Sequence, residues 1–168
     1  MSLIKKPSIF FLLSLLLLGS CNLVGKQLPQ FEFITLNGNR LTSKDLIGKV
    51  VVINVWATWC GTCIKELPDL NKIYDKYSSN QDVVFLAFSD EDEAVVNKAL
   101  ARFSFKYQQI VNAKKFTSKI QTRLVKTYPQ NIVVNDKLEF LYEVSDGSKN
   151  IFEDLDHQIQ LALTQIIE

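Results

Sequence analysis

Val50-Val51-Val52-Ile53-Asn54-Val55-Trp56-Ala57-Thr58-Trp59-Cys60-Gly61-Thr62-Cys63 runs from a β-branched, apolar segment straight into two cysteines two residues apart. The apolar half, bounded in front by Gly48-Lys49, has the composition of a strand buried on both faces. Beyond the cysteines, Ile64, Leu67, Leu70, Ile73, Tyr74 and Tyr77 recur at helical spacing. The pair therefore sits where a core strand ends and a helix begins. The first turn of a helix carries backbone N–H groups without intrahelical partners, and the aligned peptide dipoles add positive potential there. A thiolate in that place is stabilised. A free thiol of pKa ~8.5 is only slightly ionised at neutral pH, whereas one lowered to ~7 is about half ionised. Cys60 comes first, at what should be an exposed strand–helix junction, and is assigned as the nucleophile. Cys63, inside the first helical turn and expected to be more buried, is the resolving thiol that attacks a mixed disulfide.

Two other uses of such a pair fit less well. A structural disulfide across two residues closes too small a loop to remove much chain entropy. Half of a zinc site needs further Cys or His ligands, and only Cys21 and His157 are left, neither spaced for it. No metal and no cofactor is expected. His157 falls on the polar side of the last helical stretch and reads as a surface residue rather than a base.

The 168 residues are 47% hydrophobic and 22% charged, with a formal net charge of +1, the composition of one ordinary globular domain. Near-neutral charge gives no argument for a nucleic-acid partner. The first twenty residues stand apart. Lys5 and Lys6 precede an apolar run, Ile9 to Leu18, that is short for a bilayer span and ends in Leu18-Gly19-Ser20-Cys21. That arrangement is a secretory signal. The cysteine directly after the small residues resembles the lipobox of bacterial lipoproteins. The resemblance implies cleavage before Cys21 and lipidation of Cys21. Each buried CH₂ of the acyl chains contributes about 0.8 kcal/mol to anchoring. A secreted protein with a free Cys21 and an uncleaved signal anchor are the alternatives. The expected organisation is a signal peptide at 1–20, a tether at 21–30 and a folded domain at 31–168. An envelope location is oxidising, so a dithiol working there needs a partner that keeps it reduced, or else serves as an oxidant.

Along the folded part, Asn37-Gly38 between short apolar runs predicts a β-hairpin over Phe31 to Leu41. Thr42 or Ser43 caps a short helical turn that Gly48 stops. Pro68 lies inside the cysteine helix and should kink it. Asp82 to Phe88 reads as a second buried strand. Ser89-Asp90-Glu91-Asp92-Glu93 reads as a cap with acids matching the dipole of a helix over Ala94 to Phe103, with Val95, Ala99, Leu100 and Phe103 on its apolar face. Tyr107 to Val111 is a short strand and Phe116 to Leu124 a weaker helix. Asn131 to Val134 is a third core strand, Leu138 to Val144 its return, and Ile151 to Ile166 a closing amphipathic helix. This order implies a three-layer α/β fold whose sheet has parallel members and one antiparallel hairpin.

Val52-Ile53-Asn54-Val55-Trp56-Ala57-Thr58-Trp59-Cys60-x-x-Cys63, with Glu66 and Pro68 following, resembles the membrane-anchored thioredoxin-like proteins of the TlpA/ResA type, from about Phe31 onward. The resemblance implies a thioredoxin fold, a three-layer α/β/α mixed sheet, with an N-terminal β-hairpin extension and an αβ insert within Ser89 to Leu124. It implies that Pro129, just before a core strand, is the cis-proline facing the cysteines, and that the backbone of Tyr128 receives an extended substrate peptide. It also matches Glu66 to a glutamate near the active site that exchanges protons with Cys63. Glu66 lies three residues after Cys63, on the same helix face. Trp59 is expected to shield one side of the disulfide and to offer apolar contact to substrate. Two positions depart from the pattern. Thr62 stands where Pro is common, and Asn54 stands where thioredoxin has a buried aspartate.

The function these features point to is an envelope-facing thiol–disulfide oxidoreductase anchored to a membrane through Cys21 and facing the periplasm. It would act on protein disulfides, taken first in the reducing direction, with a redox partner that recycles the pair. A peroxiredoxin-like peroxidase is one alternative. Its Pro-x-x-x-Thr/Ser-x-x-Cys pattern is not met, because Ile53 and Ala57 occupy those places before Cys60, and Trp56 and Cys60 before Cys63. A non-catalytic anchored binding module is the other, and the intact cysteine pair argues against it.

Overall fold

The computed structural model describes residues 25–121, 125–145 and 147–166. The quoted apolar run forms β3 (Val50–Trp56), buried along its whole length, and the helical repeat forms α1 (Gly61–Tyr77). Before them, β1 (Glu32–Ile34) and β2 (Arg40–Thr42) make the expected antiparallel hairpin. Its turn carries Gly38 at φ 85°. A 3-10 turn, Ser43–Leu46, is closed by a capping box between Thr42 and Asp45, and Gly48 at φ 80° redirects the chain into β3.

After α1 come β4 (Val83–Ser89), α2 (Glu93–Leu100), β5 (Gln108–Ile110) and α3 (Lys114–Ile120). The chain closes with β6 (Gln130–Val134), β7 (Phe140–Ser145) and α4 (Ile151–Ile166). The main sheet has the order β5-β4-β3-β6-β7. Strands β3, β4 and β5 are parallel, and β6 and β7 run antiparallel to their neighbours. The α2–β5–α3 segment occupies the stretch where an αβ insert is expected.

Alternation along β3 divides the core. Val50, Val52 and Trp56 pack with Leu67, Leu70 and Ile73 of α1 and with Leu155 and Ile159 of α4. Val51, Ile53 and Val55 face the other way, onto Leu28, Phe116 and Ile120. A strand covered on both faces needs apolar residues at every position, which explains why β3 shows no polar alternation. Burying each such side chain stabilises by about 1.5–3 kcal/mol. The polar exception on β3 is Asn54.

Three expectations are corrected. The chain joins the fold before Phe31: Gln27 bridges to Glu139, Leu28 N–H donates to Leu138 O at 2.7 Å, and Phe140 N–H donates to Lys26 O at 2.8 Å. Leu28 is buried, so residues 26–28 are part of the domain rather than a tether. On α2 the inward residues are Val96 and Ala99, and Val95 is exposed. Adjacent helical residues point about 100° apart, and packing against the sheet selected the other valine. α1 runs as one helix through Pro68. α3 begins two residues earlier than expected and ends at Ile120, with Gln121 extended at φ −69°, ψ 122°. The expected signal peptide and Cys21 lie outside the described residues, as do residues 122–124.

Candidate active site

β3 ends at Trp56, and Ala57-Thr58-Trp59 carries the chain to Cys60, the N-cap of α1. Cys60 and Cys63 are joined in a disulfide with Cα atoms 5.3 Å apart. The Cys63 N–H donates to Cys60 Sγ at 3.1 Å. The same backbone N–H would meet the charge of a thiolate on Cys60. Thr62 Oγ1 lies 3.3 Å from Cys60 Sγ. A disulfide sulfur carries no hydrogen, so here the hydroxyl donates. Thr62 thus places a donor on Cys60 where the expected proline would place none.

Cys60 is 5% exposed and Cys63 1%, so the order of exposure is as expected but Cys60 is not an exposed junction residue. The cause is the cap geometry, which turns the Cys60 sulfur inward onto the helix's first amides. Trp59 turns outward instead and is 70% exposed. Its ring meets Tyr128 edge-on, with centroids 5.5 Å apart and planes at 77°. The Tyr128–Pro129 bond is cis, and Pro129 is buried. Because β6 pairs with β3 in the register Val55↔Gln130, Tyr128 and Pro129 lie at the same end of the sheet as Cys60. Trp59, Cys60, Tyr128 and Pro129, distant in sequence, are thus brought together.

Glu66 is buried, not a solvated surface glutamate. Asn131 Nδ2 donates to its Oε2 at 3.1 Å, and Asn54 Nδ2 donates in turn to Asn131 Oδ1 at 2.8 Å. Oε1 is buried near Gly147, with no hydrogen bond of ordinary geometry among the described residues, although the Ser148 backbone acts on the carboxyl. Burial raises the Glu66 carboxyl above its ordinary value; the Asn131 amide and the Ser148 backbone act against this rise, and Asp69 adds to it. Glu66 lies three residues after Cys63 on the same helix face, so a carboxyl with a raised pKa sits one helical turn from the resolving cysteine.

Sequence reasoning passed over the two acids at the end of β4. The run Ser89 to Glu93 read as a helix cap, and only Asp92 is one, accepting from Val95 N–H at 2.9 Å. Glu91 reaches back instead. Its Oε2 accepts from Thr58 N–H at 2.7 Å and its Oε1 from the Thr58 hydroxyl at 2.8 Å. Asp90 accepts from the Tyr128 hydroxyl and from Lys126 Nζ, each at 3.1 Å. Burial first, and then Asp90, push the Tyr128 phenol up to about 12. The available signal was an excess of acids over what one cap can use. His157 is exposed on α4, as expected.

The thiol–disulfide oxidoreductase ResA of a Bacillus cereus strain is 32% identical over 112 residues, covering 67% of this chain and 64% of that protein. The thiol:disulfide interchange protein DsbE of Pseudomonas fluorescens biotype C is 40% identical over 87 residues, covering 51% of this chain and 47% of that protein. The matches thus span about half to just under two thirds of these relatives' own length. Among solved structures, a putative thiol:disulfide interchange protein DsbE from Chlorobium tepidum superposes with a TM-score of 0.73 at 25% identity, over 83% of this chain and 97% of that one. The architecture is the thioredoxin fold. The Redoxin family model matches residues 23–167, nearly the whole described chain with the cysteine pair inside it, so the protein belongs to the Redoxin family.

Proposed function

We propose that this protein is a thiol–disulfide oxidoreductase of the cell envelope, acting in the reducing direction on disulfides of other proteins. The observation that carries this reading is the Cys60–Cys63 disulfide at the start of α1, with a backbone N–H aimed at the Cys60 sulfur. In the reduced protein, Cys60 thiolate attacks one sulfur of a substrate disulfide. A mixed disulfide forms and the other substrate sulfur leaves as a thiolate. Cys63 thiolate then attacks Cys60, releasing the second substrate thiolate and closing the Cys60–Cys63 bond. Two electrons pass to the substrate, and both of its sulfurs end as thiols. A partner dithiol returns two electrons to the pair. Glu66 exchanges a proton with Cys63 as that thiol is ionised or reformed. Trp59, Tyr128 and Pro129 line the surface that receives the substrate chain.

A signal peptide at 1–20 and a lipid on Cys21 complete the proposal. Their support is the basic, apolar and small-residue order of residues 5–21. Among the described residues no helix is long and apolar enough to cross a membrane.

Trapping tests the chemistry. Cys63→Ser should accumulate mixed disulfides through Cys60, resolved by dithiothreitol on non-reducing gels. Absence of adducts, or adducts that persist when Cys60 is also replaced by serine, would refute the mechanism.

A further inference from the structure

Trp59 presents an unusual problem for a binding surface. A large apolar ring that is mostly exposed is not held by burial, and ordering it only when a substrate arrives costs conformational entropy. The structure fixes the chain directly behind it. One residue earlier, the Glu91 carboxylate takes both the N–H and the hydroxyl of Thr58, at 2.7 and 2.8 Å. Glu91 is itself fixed, because the buried Ser89 hydroxyl donates to its Oε2 at 3.2 Å and accepts from its backbone N–H at 3.2 Å. On the opposite wall Asp90 accepts from the Tyr128 hydroxyl through Oδ2, and from the buried Thr117 hydroxyl through Oδ1. The Tyr128 ring so held is in edge-on contact, at 5.5 Å, with the ring of Trp59, whose preceding residue Glu91 fixes. Hydrogen bonds to an ionised carboxylate are the strong kind, and each acid makes more than one.

We propose that Asp90 and Glu91 are positioning residues that fix Tyr128 and the Thr58–Trp59 segment, so that the two rings form one prearranged apolar contact for the polypeptide flanking a substrate disulfide. This rests on the reading of Cys60–Cys63 as a protein-disulfide exchanger and adds the substrate class: disulfides embedded in a chain with apolar or aromatic neighbours, rather than small free disulfides. Neither acid touches the sulfurs. Their effect falls on recognition, and it separates large substrates from small ones.

The test compares insulin with hydroxyethyl disulfide as substrates, with dithiothreitol as the recycling reductant, and reads the ratio of the two second-order rate constants. Glu91→Ala should lower that ratio about tenfold, through KM for insulin. Glu91→Gln can still accept from Thr58 N–H and should recover most of it. Asp90→Ala, which frees the other wall, should lower the ratio in the same direction. Glu93→Ala removes the same charge from the first turn of α2 without touching Thr58, and should leave the ratio at the wild-type value. A wild-type ratio in Glu91→Ala and Asp90→Ala, or an equal fall in Glu93→Ala, overturns the proposal. So does loss of folding in both alanine variants, which would make the acids structural. A wild-type protein that accelerates reduction of neither substrate would instead sink the oxidoreductase reading itself.

Discussion

Glu66 shows how a single side chain acquires its properties from neighbours far away in sequence. Its carboxyl is raised by burial, and its side-chain hydrogen bond comes from Asn131 on β6. A group whose pKa is higher in the folded state binds more protons there than in the unfolded chain, across the window between the two values. Its contribution to stability is therefore complete below the ordinary glutamate value of 4.5 and is lost as pH rises through the raised folded value. Glu66→Gln, which cannot ionise, should lack that loss. Melting temperatures of the oxidised wild-type and variant proteins, followed from about pH 4.5 to pH 8, should therefore move in the variant's favour as pH rises. A constant difference between them would mean that Glu66 titrates normally. Asn54 fits the same pattern. A neutral amide on a fully buried strand is satisfied by donating to Asn131, whereas a carboxylate in its place would need a proton or a counter-charge.

Among the elements, α1 and α2 start with different kinds of cap. α1 is capped by a sulfur, and a sulfur is a weaker acceptor than a carboxylate. That cap is therefore explained by chemistry rather than by helix stability. α2 is capped by Asp92 in the ordinary way. Asp92→Ala should cost about 0.5–2 kcal/mol in urea unfolding and leave mixed-disulfide trapping through Cys60 intact. Loss of trapping would show that the cap, and not Asp90 and Glu91 alone, supports the site. β4 is thus followed by three acids with three separate tasks: one on the Tyr128 wall, one on the Thr58 loop and one on the following helix.

For the molecule as a whole, residues 26–28 decide how an anchored domain would sit. Because they pair against Glu139 and Phe140, a lipid on Cys21 would be separated from the paired segment by residues 21–25 alone, which can span no more than about 17 Å. The proposed lipid would hold the sheet end carrying Leu28 close to the membrane surface. In cells producing the protein, wild-type should partition with membranes and Cys21→Ser should appear in the soluble fraction. The membrane form should begin at residue 21 by intact mass and carry acyl chains. A wild-type protein released by salt alone, or with a free Cys21 thiol, would contradict the anchor.

Short-range periodicity accounts for the local elements. The seven-residue run of β3, the 3.6-residue repeat of α1 and the Asn37-Gly38 turn each specify their own conformation, and together they set the cysteines at the mouth of a helix. Which polar groups meet depends instead on how the elements pack. Asn54 and Asn131, 77 residues apart, bond because β3 and β6 pair in one register, and Glu66, 65 residues from Asn131, reaches it because α1 packs on that face of the sheet. Thr58 and Glu91 meet because β3 and β4 lie side by side and end together. A side chain's pattern along its own strand shows which face it takes; the partner it finds on that face is set by strand order and register, and neither is written in the local sequence.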